Sequence, residues 1–350
     1  MRVLSPLLNQ VVYPVLGRAG YFSSRTSAAV ITYHGVLPQG YRSSDHFLDA
    51  SLLTTETFRS QLLLLKRNYN VISPGTFREW LRGTLDVPER AVLLTCDDGL
   101  LNNLTVMLPL LRQYDLQCLF FVTGASLDAD ALMLWYIELY LMMMEGREGD
   151  AEAEFCGVRV PRLKDAPHEK RIQWLNLVST LSLLDACQRL EFLEEAGRVW
   201  GVAAGWRRRY LDDSVSRQRF QVLDQAQVEE LGAAGMTIGA HTLSHPELSR
   251  QPAELAAREV MVCRHKLKEC AGQPVWAFAF PFGNPATVGD RDLRLAEEAG
   301  YECAFMNIPG PLSRTNKFAL PRIHVTSEMS LGVFEAHVSG FHESLRRLLY

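Results

Sequence analysis

The chain lacks any apolar run long enough to cross a membrane. The nearest, residues 133–144 (MLWYIELYLMMM), is short and contains Glu138, whereas a span needs roughly 18 or more apolar residues. It also lacks a Cys-x-x-Cys pair. Cys96, Cys118, Cys156, Cys187, Cys263, Cys270 and Cys303 form an odd, scattered set of seven. That fits a reduced compartment, with most thiols serving as small buried hydrophobes. No basic stripe stands out among 36 Lys and Arg against 40 Asp and Glu, a net charge of −4, so nucleic acid is not an expected partner. Internal repeats and low-complexity tracts are absent too.

What is present is ordinary globular composition, 350 residues with 47% hydrophobic and 22% charged. A chain of this size buries a large core without disulfides, and an α/β barrel can use this length as one domain. Residues 1–27 form an amphipathic segment in which Pro6, Asn9, Gln10 and Pro14 interrupt the apolar side chains. A cleaved signal needs an unbroken apolar stretch. The segment therefore reads better as a packing arm, or as a peripheral membrane contact. The expected location is cytoplasmic, with or without membrane association.

Strand-like and helix-like segments alternate from Ala28 onward. Residues 28–33 (AAVITY), 91–95 (AVLLT), 118–122 (CLFFV), 236–240, 276–280 and 303–306 read as strands, and helical patterns lie between them. Repeated β-then-α units predict a parallel sheet with helices outside. The expected fold class is α/β, a distorted (β/α)7 TIM-like barrel. Within the domain 28–350, the pattern breaks at about residues 126–222, read as a helical insertion that either covers the barrel or forms a lid or substrate platform.

Polar clusters end four of these strands: His34; Asp97-Asp98; His241 with His245; and Pro281-Phe282-Gly283. The C-terminal ends of parallel strands are where barrel active sites are built. His241 and His245, four residues apart, can turn both imidazoles toward one ion, although such a pair alone is more often incidental. Adjacent carboxylates at Asp97-Asp98 are costly unless compensated, and a divalent cation would compensate them. Their alternative role is an Asp turn or cap before Asn102-Asn103. Successive strand residues point opposite ways, so the two aspartates need not share a task. One carboxylate and two imidazoles leave coordination positions open, the catalytic pattern, and suit zinc first, or cobalt, nickel or manganese.

In order along the chain, TCDDG, HTLSHPEL and AFAFPFG resemble the leading motifs of the polysaccharide deacetylases, carbohydrate esterase family four or the NodB-homology domain. The resemblance runs from about Ala91 to Tyr350, minus the insertion, and implies a distorted barrel of about seven β/α units. It implies Asp97 as catalytic base, Asp98, His241 and His245 as ligands of one divalent metal ion, and a Pro281-Phe282-Gly283 turn whose Phe282 N–H helps hold the oxyanion. Cys96 replaces the usual apolar residue. The family's arginine before the third motif and its C-terminal leucine-x-histidine are missing. In both respects the chain is similar to the branch of biofilm poly-N-acetylglucosamine deacetylases, in which an N-terminal Tyr-His strand end supplies the acid. Tyr33-His34-Gly35 matches it, which nominates His34, with His324 as competitor. Arg322 is expected to orient Asp97 or contact substrate, unless it forms a purely structural salt bridge, and His46 to border the groove. The implied activity is metal-dependent N-deacetylation of an amino-sugar-containing glycan, a poly- or oligosaccharide or a lipid-linked sugar. The alternatives are O-deacetylation of a sugar ester and an inactive carbohydrate-binding barrel.

Overall fold

Short buried strands separated by amphipathic helices make up most of the chain. The structure, a computed structural model, describes residues 12–18, 28–41, 43, 45–127, 132–147 and 153–349. The strands are β1 (Ala29–Tyr33), β2 (Gly35–Leu37), β3 (Leu52–Thr54), β4 (Asn70–Ile72), β5 (Ala91–Cys96), β6 (Leu119–Val122), β7 (Ala153–Phe155), β8 (Val158–Val160), β9 (Thr237–Ala240), β10 (Ala277–Ala279), β11 (Cys303–Phe305) and β12 (Ile323–His324).

Seven parallel strands run in the order β11-β10-β9-β6-β5-β1-β12, and β4 pairs with the first half of β5. Past β11 the ladder continues onto the segment before β12, where Phe305 bridges Leu320 and the Met306 N–H donates to Leu320 O at 2.8 Å. This is the expected barrel-type α/β fold. Alternate strand residues serve two cores, as the period of two requires. Ile31, Val92, Leu94, Phe120, Ile238 and Phe278 pack with the outer helices. Val30, Leu93, Phe121, Ala279 and Phe305 face the other way, with Phe77 and Leu81 of helix Pro74–Arg82.

Register fixes the functional end. Tyr33 pairs with Cys96, and Phe278 with Ala240. The residues that directly follow these strands, His34, Asp97, His241 and Phe280, emerge at one rim. Gly35 allows the chain to leave β1 tightly, because a Cβ there would lie 2.5 Å from Asn102 Oδ1.

Between β6 and β9 the chain builds a third core of its own, containing Trp135, Tyr140, Trp174, Phe192 and Trp200. Its helices are Trp135–Glu145, Pro167–Leu181, Ala186–Val199, Trp206–Asp212 and Ser214–Phe220. Two features depart from the sequence reading. Within the insertion, read only as helical, the helical run breaks after Leu181, because Asp185 caps a new helix through a reciprocal bond pair with Gln188, a capping box that starts a helix afresh. β7 and β8 form a hairpin whose turn residues Cys156 and Gly157 have φ of 49° and 73°, the twist that two-residue hairpins favour. A cysteine in the first turn position hides that signal.

The N-terminal segment is described only at residues 12–18, so most of the expected amphipathic stretch lies outside the described residues. Within it, helix Tyr13–Arg18 packs Tyr13 against Val333 and Ala336 of helix Leu331–Val338. His337 stacks on His342 at 4.0 Å between ring centroids. Burial and the neighbouring imidazole push it down to about 4.

Arg189 ties the insertion to the barrel. Its side chain, 1% exposed, donates to Leu184 O at 2.7 Å and to Ser244 Oγ, and lies 3.7 Å from Glu259 Oε1. Glu259 in turn accepts from the Ser244 N–H at 2.7 Å. Removing one partner leaves the other charge buried and unpaired. Arg189→Ala should therefore destabilise the protein by about 3–5 kcal/mol, read from urea unfolding. An unchanged midpoint would contradict this account of the junction.

Candidate active site

β5 ends in the two buried carboxylates, and each meets a different environment. Asp97 continues the face of Thr95. Arg322 grips it with two parallel bonds of 2.7 Å, and the same guanidinium donates to Thr95 Oγ1 and Met306 O. The pair is 0% and 3% exposed. Burial alone would push the Asp97 carboxyl up, but the Arg322 guanidinium and the nearby imidazoles hold it below the usual carboxylate range. Arg322 thus orients Asp97 and does not line the pocket. Asp98 turns away. Its φ is 77° and that of Gly99 is 73°, so the backbone reverses there and sends the second carboxylate to the other side.

Asp98 meets the two histidines. Its Oδ1 lies 3.6 Å from His241 Nε2 and 3.3 Å from His245 Nε2, and the three ligand atoms all fall within 4.8 Å of one another. His241 Nδ1 sits 2.7 Å from Ala279 O. A proton donated to that carbonyl leaves Nε2 as a lone-pair donor, the usual outer support of a metal-binding imidazole. Asp98 Oδ1 is buried with no hydrogen-bond partner among the described residues. A buried carboxylate oxygen facing two imidazole nitrogens is a donor set that fits a divalent cation.

The loop carrying the imidazoles is strained. Thr242 and His245 have φ of 62° and 57°, and Phe282 has 59°. Non-glycine residues in this region cost about 1–3 kcal/mol each. The conformations are held by Thr242 Oγ1, which accepts from the His245 N–H at 3.0 Å. Trp135 adds an indole N–H bond of 3.3 Å to His245 O. At the Pro281-Phe282-Gly283 turn, Gly283 has φ of 59°, and a Cβ there would lie 2.6 Å from the Asn307 nitrogen, so glycine is required. The Phe282 N–H makes no backbone hydrogen bond among the described residues, and the ring packs on His245 at 5.0 Å.

A cavity of about 420 Å³ gathers His34, Asp97, Asp98, His241, His245 and Phe282. His324 lines it as well, with its ring 4.9 Å from that of His34 and its Nε2 3.1 Å from Ser51 Oγ. Burial and the adjacent His34 push His324 down to about 3. His46 is exposed; the expectation that it borders the groove fails by one residue, since Phe47 and Leu48 fill that wall.

Several lining residues escaped the sequence reading. Tyr136, Ile137, Trp174, Arg219 and Phe220 come from the insertion, and Asn307 from the loop after β11. Arg219 is fixed by Asp49, at 2.7 Å. Asn102 and Asn103, read only as neighbours of an Asp turn, hold the site together. Asn102 takes the Val36 N–H at 2.9 Å and gives to Gln218 O at 2.8 Å, while Asn103 donates to His34 O at 3.2 Å. Their adjacency to Asp97-Asp98 was the only available signal.

Residues 202–304 match the family model for polysaccharide deacetylase. That span contains the histidine pair and the Pro281-Phe282-Gly283 turn, but not Asp97-Asp98. The Bacillus subtilis (strain 168) protein YxkH is 26% identical over 117 residues, 33% of this chain and 41% of that protein. The chain thus matches about two fifths of this relative's length. Among solved structures, the Streptococcus pyogenes deacetylase PplD superposes with a TM-score of 0.55 at 16% identity, covering 90% of this chain and 99% of the other. The Aggregatibacter actinomycetemcomitans de-N-acetylase gives 0.54 at 14% identity, covering 89% and 99%. IcaB from Ammonifex degensii gives 0.52 at 17%, covering 90% and 97%. At these identities the likeness shows a shared barrel fold. The family-model match is confined to residues 202–304, and the superpositions show the fold.

If Asp98, His241 and His245 hold one cation, Asp98→Ala should weaken zinc binding at least about 100-fold, beyond what outer-shell substitutions cost. Competition with a chromogenic chelator measures it. Undiminished affinity would mean that zinc binds elsewhere.

Proposed function

We propose that this chain is a metal-dependent hydrolase that removes N-acetyl groups from an amino-sugar-containing glycan. The observation that carries the reading is the division of labour at the end of β5. One carboxylate is locked to Arg322 inside the cavity, and its neighbour faces two imidazole nitrogens. The same cavity holds His34 and the Phe282 turn.

Asp98, His241 and His245 would hold one divalent ion, with zinc the first choice and cobalt, nickel or manganese also suited to the donor set. When bound, such an ion polarises the acyl oxygen and makes water a stronger nucleophile near neutral pH. The remaining work falls to the chain. Asp97, kept ionised by Arg322, accepts a proton as the water oxygen bonds to the acyl carbon. The carbonyl electron pair moves onto oxygen, and the Phe282 N–H donates a hydrogen bond to that developing charge. The carbon–nitrogen bond then breaks while His34 gives its proton to the nitrogen, which would be a poor leaving group as an anion. Acetate and a free amine result.

His34 is assigned the acid over His324 because a group pushed to about 3 carries no proton to give at neutral pH. His34 Nδ1 is buried with no partner among the described residues. The substrate is a carbohydrate, poly- or oligosaccharide or lipid-linked, and a membrane contact through residues 1–27 remains part of the proposal only for the lipid-linked case.

Asp97→Asn should cut turnover on N-acetylglucosamine oligomers by about 100- to 10,000-fold while binding one equivalent of zinc as before. Near-normal turnover would remove Asp97 as the base. Parallel assays on acetyl-ester sugars separate N- from O-deacetylation. Arg322→Met removes the strongest of the influences that oppose burial at Asp97, which raises its pKa. Since the base must be ionised, the acid limb of the kcat/KM profile should move to higher pH. An unmoved limb would detach that ionisation from Asp97.

A further inference from the structure

The insertion enters the cavity with one polar group that no step above uses. Helix Trp135–Glu145 begins against the metal-ligand loop, because the Trp135 indole N–H is bonded to His245 O at 3.3 Å. The helix is also anchored from behind, where Trp174 Nε1 donates to Tyr136 O at 2.7 Å. These two bonds hold the backbone on either side of the Tyr136 side chain. Its ring lies 4.9 Å from that of His245, tilted 38°, and 6.1 Å from that of Phe282. It therefore covers both the proposed ligand and the proposed oxyanion turn.

The phenol remains a donor. A phenol offers one O–H, and the side chain stands in the same cavity as Asp97 and Asp98. Tyr136 lines that cavity, and its hydroxyl makes no hydrogen bond to any other described residue. A half-buried phenol that lines the cavity can donate its O–H to a group bound there.

We propose that Tyr136, supplied by the insertion, is a catalytic residue whose hydroxyl donates a second hydrogen bond to the acyl oxygen as negative charge develops there. The inference rests on the deacetylase reading. The Tyr136 O–H bond stays intact throughout, so the electron and proton balance of the reaction is unchanged. The Phe282 N–H approaches the oxygen from the turn side, and the phenol from the insertion side. Such a donor acts mostly in the transition state, so its loss lowers kcat more than it raises KM. An apolar or stacking role on the sugar ring would do the reverse.

The test is Tyr136→Phe, which keeps the ring and removes only the hydroxyl. Steady-state kinetics on N-acetylglucosamine oligomers should show kcat lowered about 100-fold with KM little changed. Calorimetry with an N-methylphosphonyl glucosamine, whose tetrahedral phosphorus mimics the charged intermediate, should show affinity lowered by the same factor. Unchanged thermal unfolding would exclude a folding defect. Wild-type kcat in the variant, or a rise confined to KM, overturns the assignment. If the wild-type protein cleaves no acetamido sugar, the functional reading falls. The calorimetric comparison still decides for the phenol, and equal or absent binding to both proteins overturns it.

Discussion

Two adjacent carboxylates buried at the end of one strand are the constraint around which this molecule is arranged. Asp97 and Asp98 are 2% and 5% exposed, and neither can stay charged there without compensation. The backbone reversal at Asp98 and Gly99 sends them apart, and each finds a separate solution. Asp97 takes an arginine from the segment that continues the ladder between β11 and β12. Asp98 takes two imidazoles from the loop after β9. Residues more than 140 positions apart in the sequence therefore have to meet at one rim, and the parallel register is what makes them meet.

The backbone carries the cost of that meeting. Four of the non-glycine residues with left-handed φ, namely Asp98, Thr242, His245 and Phe282, stand at the site. Strain of this kind persists only where surrounding contacts over-determine it. Here the insertion supplies part of that restraint. Trp135 holds the His245 carbonyl, Arg189 holds Ser244, and Glu259 closes the contact from the barrel side. The insertion is thus more than cover. It braces the imidazole loop, and it also lines the cavity with Tyr136, Trp174 and Phe220.

The barrel was legible because its signals are local. β-branched and apolar runs of four to six residues, each followed by a helical period, mark parallel strands wherever they occur. The four polar strand ends were legible for the same reason. Arg322 was recognisable as a partner for Asp97, but its two-pronged grip depends on the ladder between Leu320 and β11, which no local pattern encodes. The insertion was legible only as helical. Its break at Asp185 and its hairpin at Cys156-Gly157 are set by a cap and a turn that compete poorly with strong apolar periodicity. Tyr136 was hidden more deeply. It lies in an apolar run that reads as core, and only the docking of that helix on His245 turns one of its residues toward the cavity.

The paired histidines show how burial assigns roles that sequence leaves open. His34 and His324 both end strands, both line the cavity, and their rings are 4.9 Å apart. Burial and the neighbouring ring keep His324 neutral, and its Nε2 is occupied with Ser51 Oγ. His34 lies where β1 meets β5, next to Asp97 in the register, with its carbonyl fixed by Asn103. The two imidazoles therefore come from neighbouring strands, β1 and β12, and the pairing of those strands sets the distance between them.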